Sequence, residues 1–121
     1  MKPERRGRID HEIQRALAKI IAEEVKDPRI GFVTVTRAEI SGDMKHCKVF
    51  VSVIGDRHVA RQSMDALESG KGFIRGRLGD EIDLRYTPEL NFVEDRTTER
   101  AIELTHKVDE AAAVSSGKVR K

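Results

Sequence analysis

The sequence predicts an α+β fold, a three-stranded sheet with helices packed on one face, and three features carry that prediction. An apolar stripe at helical spacing opens the chain, two β-branched segments follow around a turn sequence, and a second helical pattern, broken at Gly70-Lys71-Gly72, leads into a last alternating stretch. A chain of 121 residues is sized for one core, which would bury roughly two thirds of the surface its unfolded form exposes. Hydrophobic residues make up 38% and charged residues 36%, so the chain is polar for a globular protein yet holds enough Ile, Leu, Val and Phe to close that core.

Ile9, Ile13, Leu17, Ile20, Ile21 and Val25 recur at spacings of three and four, which puts them on one stripe of a helix running from about Ile9 to about Val25. Lys26-Asp27-Pro28 should end it, because proline disfavours a helical residue before it. Phe32 to Thr36 is β-branched and aromatic, and Met44 to Ile54 alternates Cys47, Val49, Val51 and Val53 against His46, Lys48, Phe50 and Ser52. With the turn residues Ser41-Gly42-Asp43 between them, the two strands form an antiparallel hairpin that faces Val33, Val35, Val49 and Val51 toward the helices.

After Gly55-Asp56, the residues Val59, Ala60, Ser63, Met64 and Leu67 restore helical spacing, with Asp56 as the cap. Each glycine costs a helix about 1 kcal/mol relative to alanine, so Gly70 and Gly72 together predict a kink. Phe73, Ile74 and Leu78 resume the stripe and Gly79 is the expected stop. Leu84 to Val93 alternates with Leu84, Tyr86, Leu90 and Phe92 in phase, and Pro88 marks an edge position or a bulge. A weaker helix capped by Asp95 or Thr97 and carried by Ala101, Ile102, Thr105 and Val108 should close a single domain over residues 1–110, with 111–121 a flexible basic tail. The order is α-β-β-α-kink-α-β plus a C-terminal helix, which is what a type II KH domain looks like.

Several function classes lack support. Cys47 has no partner for a disulfide and, alternating with core valines, reads as a buried small hydrophobe rather than a nucleophile. His11, His46, His58 and His106 fall in separate segments without metal-ligand spacing or an adjacent carboxylate dyad, so neither an enzyme nor a metal or cofactor is expected. No run approaches the roughly 18 apolar residues of a membrane span, and the chain is expected to be cytoplasmic. The aromatic residues Phe32, Phe73, Phe92 and Tyr86 are in phase with apolar neighbours, Phe50 being the exception, so base stacking is not expected and recognition should rest on backbone and shape.

The net charge of +2 says little, but the distribution says more. Residues 1–20 hold six basic against three acidic side chains, and Lys71, Arg75, Arg77 and Arg85 concentrate around the glycines. Backbone N–H groups at a helix start lack intrahelical partners and carry the positive end of the dipole, so the start of the second half-helix suits a phosphate. Gly70 and Gly72 would let an RNA backbone approach closely while Lys71 and Arg75 add charge; a ligand-free kink would need the same glycines. If Arg57 and Arg61, with Arg6 and Arg8 ahead of the first helix, meet that face, the patch would reach on the order of six phosphates and lose roughly a thousandfold in affinity from low to moderate salt.

Lys26-Asp27-Pro28-Arg29-Ile30-Gly31-Phe32-Val33-Thr34-Val35-Thr36, the run Met44 to Gly55, Gly72-Phe73-Ile74-Arg75 through Leu78-Gly79, and Leu84-Arg85-Tyr86-Thr87-Pro88-Glu89-Leu90-Asn91-Phe92-Val93 together resemble the ribosome-binding factor A family over about residues 5–105. The resemblance implies a type II KH fold that binds the free small (30S) ribosomal subunit and assists late maturation of its 16S rRNA, with a link to growth in the cold and no enzyme activity. The family carries a small-residue-x-Gly kink, commonly starting with Ala, and this chain has Gly70-Lys71-Gly72 there. The implied partners are the small subunit and its 16S rRNA, with the protein a monomer that touches no membrane. A protein-interaction module working through a ribosomal protein or an assembly GTPase is the alternative.

Overall fold

The computed structural model describes residues 3–96. Helix α1 spans Pro3–Glu23 and buries Ile13, Leu17 and Ile20 completely, so the apolar stripe does pack inward. It starts earlier than the stripe does. Proline suits a first helical position because its missing N–H would have had no partner there, so Arg6 and Arg8 lie in the opening turns of α1 and not on an arm ahead of it. The chain leaves the helix as the N–H groups of Glu24 and Val25 share the Ile20 carbonyl, before Pro28.

Strand β1 runs Phe32–Ile40 and β2 runs His46–Ile54, paired antiparallel from Phe32↔Ile54 to Ile40↔Cys47. The inward set expected on β1 holds, with Val35 buried and Val33 half-buried against the core, but the alternation does not continue past Val35. The register shifts between Val35 and Arg37, leaving Thr36 as the extra residue, and the buried positions become Ala38 and Ile40. A bulge of this kind reverses the parity of every later side chain, which is why alternation alone ends the strand at Thr36. In the turn, Asp43 accepts from the Ser41 hydroxyl at 2.6 Å and from the Lys45 N–H at 3.0 Å, while Met44 takes the left-handed conformation at φ 64°.

Asp56 caps α2 (Arg57–Ser69), its carboxylate accepting from the Val59 N–H at 2.9 Å. After Gly70, α3 runs Lys71–Glu81. Gly79 lies inside α3 rather than ending it, because the glycine serves a close contact: a Cβ there would sit 2.8 Å from the Thr87 hydroxyl oxygen. Strand β3, Glu89–Glu94, is shorter than the alternating stretch predicts and pairs parallel to β2 with Cys47↔Leu90 and Val49↔Phe92. Pro88, which has no N–H to give a ladder, is buried just ahead of β3, and Glu89 opens the strand by donating to the Lys45 carbonyl at 2.8 Å. The helices between β2 and β3 supply the crossover that a parallel pair requires.

The sheet order is β1-β2-β3. Val35, Ala38, Ile40, Cys47, Val49, Val51 and Leu90 pack with Ile13, Leu17, Ile20, Leu67, Ile74 and Leu78 in one core, so the three helices cover one face. The helix expected over Ala101, Ile102, Thr105 and Val108, and the tail over 111–121, lie outside the described residues.

Candidate nucleic-acid interface

Gly70 ends α2 and starts α3: its N–H donates to the Ala66 carbonyl and its own carbonyl accepts from Ile74, both at 2.9 Å. With φ at −90° it sits in a conformation open to any residue. A Cβ on Gly70 would meet ordinary contacts at 3.5 Å, and one on Gly72 would meet nothing within 4 Å. Neither backbone angle nor internal packing demands glycine here, and the exposed Gly72 leaves bare backbone at the start of a helix.

The flanking cations divide by role. Lys71 pairs with Glu68 across the kink. Arg75 donates to the carbonyls of Thr87 at 2.7 Å and Pro88 at 3.1 Å, clamping the connection between α3 and β3 while keeping its charge unneutralised. Arg77, counted with the basic cluster by sequence, is held instead by Glu24, Asp80 and Glu81. Arg57 and Arg61 are exposed at the far end of α2, so the helix length puts Arg57 roughly 20 Å from Gly70. Arg6 lies in the opening turns of α1 beside the hairpin, where a Cβ on Gly42 would be 3.8 Å from its guanidinium; Arg8 is exposed on the same helix. These arginines form separate basic spots, because α2 holds its two ends apart and Arg6 and Arg8 lie on α1.

At the hairpin end, the sequence missed a cluster. Tyr86 is 45% exposed, with the Lys45 ammonium 5.8 Å and the Arg85 guanidinium 5.6 Å from its ring centre. The alternation that places Tyr86 in phase with the core does not apply, since residues 82–88 connect α3 to β3 and are not strand. Pro88 carried the signal: a strand starting after it leaves Tyr86 outside the pleat. Phe32 at 78% and Phe73 at 52% are also exposed, whereas Phe50 is half-buried with the Arg37 guanidinium 4.0 Å over its ring.

Among the described residues, Arg6, Arg8, Lys45, Arg57, Arg61 and Arg85 have no carboxylate within ion-pair distance. Their charges are free to meet an anion, as are those of Arg15, Lys19, Lys26, Lys48 and Arg75. Cys47 is fully buried, and burial pushes its thiol up to about 12, with the nearby Asp10 charge adding to the shift. Among the described residues no group of three His, Cys, Asp or Glu side chains could hold a metal ion, and no helix is long and apolar enough to cross a membrane.

Residues 5–108 match the family profile described as Ribosome-binding factor A. The chain is similar to Ribosome-binding factor A of Heliobacterium modesticaldum, 42% identical over 110 residues that cover 91% of each protein. It is also similar to that of Halothermothrix orenii, 43% identical over 113 residues, covering 91% of this chain and 93% of the other. Among solved structures, a Thermotoga maritima protein described as a putative ribosome binding factor A superposes with TM-score 0.70 at 32% identity, over 80% of this chain and 93% of that one. The crystal structure of ribosome-binding factor A from Thermus thermophilus has TM-score 0.68 at 24% identity, over 76% and 98%, and shows the shared fold. A homology model of the Thermus thermophilus factor, fitted into a cryo-EM map of a 30S-RbfA complex, has TM-score 0.62 at 26% identity, over 74% and 94%. With a matching family profile, relatives above 40% identity and an α+β fold shared with solved members, this chain belongs to the ribosome-binding factor A family.

Proposed function

We propose that this chain works in the cytoplasm as a monomer that binds the free small ribosomal subunit and assists late maturation of its 16S rRNA, with a link to growth in the cold. One observation carries the RNA part of this reading: Gly72 presents bare, exposed backbone at the start of α3 without any internal packing need for glycine. The Thermus thermophilus relative fitted into a 30S complex supports the small subunit as the partner. In this reading Gly70 and Gly72 admit the sugar-phosphate backbone, Arg75 supplies charge beside it, and Lys71 adds its own by exchanging the Glu68 carboxylate for a phosphate. Arg57 and Arg61 then lie further along the same strand, while Arg85, Arg6 and Arg8 reach RNA at the hairpin end.

Reversing charge at Arg8, Arg61 and Arg85 together tests this without disturbing an ion pair or the Arg75 clamp. The triple variant should lose co-sedimentation with free small subunits, and wild-type affinity should fall linearly on a log scale with salt. Normal co-sedimentation by a folded triple variant would falsify the assignment of these cations.

A second reading, docking on a ribosomal protein or assembly GTPase, draws on Phe32 and Ile54. The two are paired in register and expose 78% and 68% of their surface. Replacing both with Ser separates the readings: it should weaken subunit binding only if a protein contact contributes.

A further inference from the structure

The chain just after Tyr86 is held at three successive residues, while the Tyr86 ring stays open. The backbone after it is clamped by Arg75 on the Thr87 and Pro88 carbonyls, Pro88 is buried, and Glu89 bonds the Lys45 carbonyl across the sheet. This ties the connection to the hairpin and brings Lys45 and Arg85 within 6 Å of one exposed ring. Lys45, His46, Arg75, Tyr86, Thr87 and Glu89 line an open depression of about 300 Å³. Glu89 is the carboxylate in that lining, and its oxygen lies 4.0 Å from His46, leaving Lys45 and Arg85 without an acidic partner.

We propose that Tyr86 is a stacking platform for one unpaired base of RNA, with Lys45 and Arg85 holding the phosphates on either side of that base. The inference rests on the RNA reading above and deepens it by naming single-stranded RNA as what this end of the sheet takes. An aromatic face is sequence-tolerant because every base has a π-face, and adjacent cations track the backbone that carries it. A continuous duplex offers the phosphates but keeps its bases stacked on each other, so it would leave the ring unused. An acidic peptide would satisfy Lys45 and Arg85 and likewise leave the ring without a partner.

The chain has one tyrosine and no tryptophan, so its intrinsic emission reports this ring alone. The full chain would be titrated with a single-stranded oligoribonucleotide of mixed sequence, with the same sequence as a duplex, and with an oligoglutamate. Quenching by the single strand and not by the duplex or the peptide is the expected result. Tyr86→Ala should weaken binding of the labelled single strand about ten-fold, while Tyr86→Phe keeps it, both variants giving the wild-type circular dichroism.

Equal quenching by duplex, quenching by oligoglutamate alone, or a folded Tyr86→Ala variant that binds single strand and small subunits as wild type does would each overturn the proposal. The broader reading stands or falls separately, on co-sedimentation of the unaltered chain with small subunits. If that chain binds subunits and Tyr86→Ala binds them equally well, the platform alone is wrong; if the unaltered chain does not bind them, the ribosomal reading fails.

Discussion

Arg77 on α3 closes on Glu24 just past the end of α1, its Nε 2.5 Å from Oε1 and its Nη2 3.2 Å from Oε2. The same guanidinium reaches Asp80 at 3.0 Å and Glu81 at 3.1 Å, so one residue of a basic-looking cluster is consumed in tying two helices together. A planar fork with two donors on one carboxylate has a geometry that lysine lacks.

Arg77→Met should therefore lower the melting temperature at neutral pH, with Arg77→Lys recovering part of the loss. The hydrogen bond from Arg77 holds the Glu24 carboxyl below its ordinary value of 4.5. A depressed folded-state value means the contribution is fully present above the unfolded value and lost as pH falls through the folded one. The gap in melting temperature between wild type and Arg77→Met should thus be constant above about pH 5 and shrink below it. A gap that widened on acidification would contradict the pairing. Asp27, lowered from 3.8 to about 2 by its bonds from Arg29, should add an acid-labile contribution in the same direction, common to both proteins.

The glycines of α3 should separate under alanine substitution. Gly79→Ala pushes a Cβ to 2.8 Å from the Thr87 oxygen and should destabilise by about 1–3 kcal/mol. Gly76→Ala meets open space and should stabilise by about 0.5–1 kcal/mol through helix propensity. Gly72→Ala should be equally harmless to stability and yet weaken binding to small subunits, which chemical denaturation and co-sedimentation would show together.

Ser63 is a buried polar side chain that accepts from the Gly31 N–H at 3.0 Å and donates to the Arg29 carbonyl at 3.3 Å. Ser63→Ala strands that N–H and carbonyl near the core, so urea unfolding should show a loss of about 1–3 kcal/mol. Little change would mean that water replaces the hydroxyl.

Cys47 should resist a disulfide-exchange reagent at pH 8 in the native protein, because burial removes both access and thiolate. Full reaction is expected once denaturant unfolds the chain. Rapid native labelling would show that the β1–β2 layer opens locally.

Much of the fold was legible locally. The stripe from Ile13 to Ile20, the Asp56 cap, the Ser41-Gly42-Asp43 turn and the Gly70 break each act within a few residues, so their chemistry is written in neighbouring letters. The bulge at Thr36, the close contact at Gly79 and the exposure of Tyr86 were not legible. Each depends on a distant segment: a register with Phe50, the approach of Thr87, a strand that waits until Glu89 to pair with Lys45.

By itself the sequence determined the order of elements, the inward stripes of the helices, the antiparallel hairpin and the membership of a family, because periodicity and turn chemistry are local and additive. Tertiary structure alone decided which basic residues stay available. Arg77 and Lys71 are paired with carboxylates, Arg75 bonds two carbonyls and keeps its charge, and Lys45 and Arg85 gather unpaired around Tyr86. Charge on a side chain is a property of the residue, but whether that charge is free is a property of what the fold brings within about 4 Å of it.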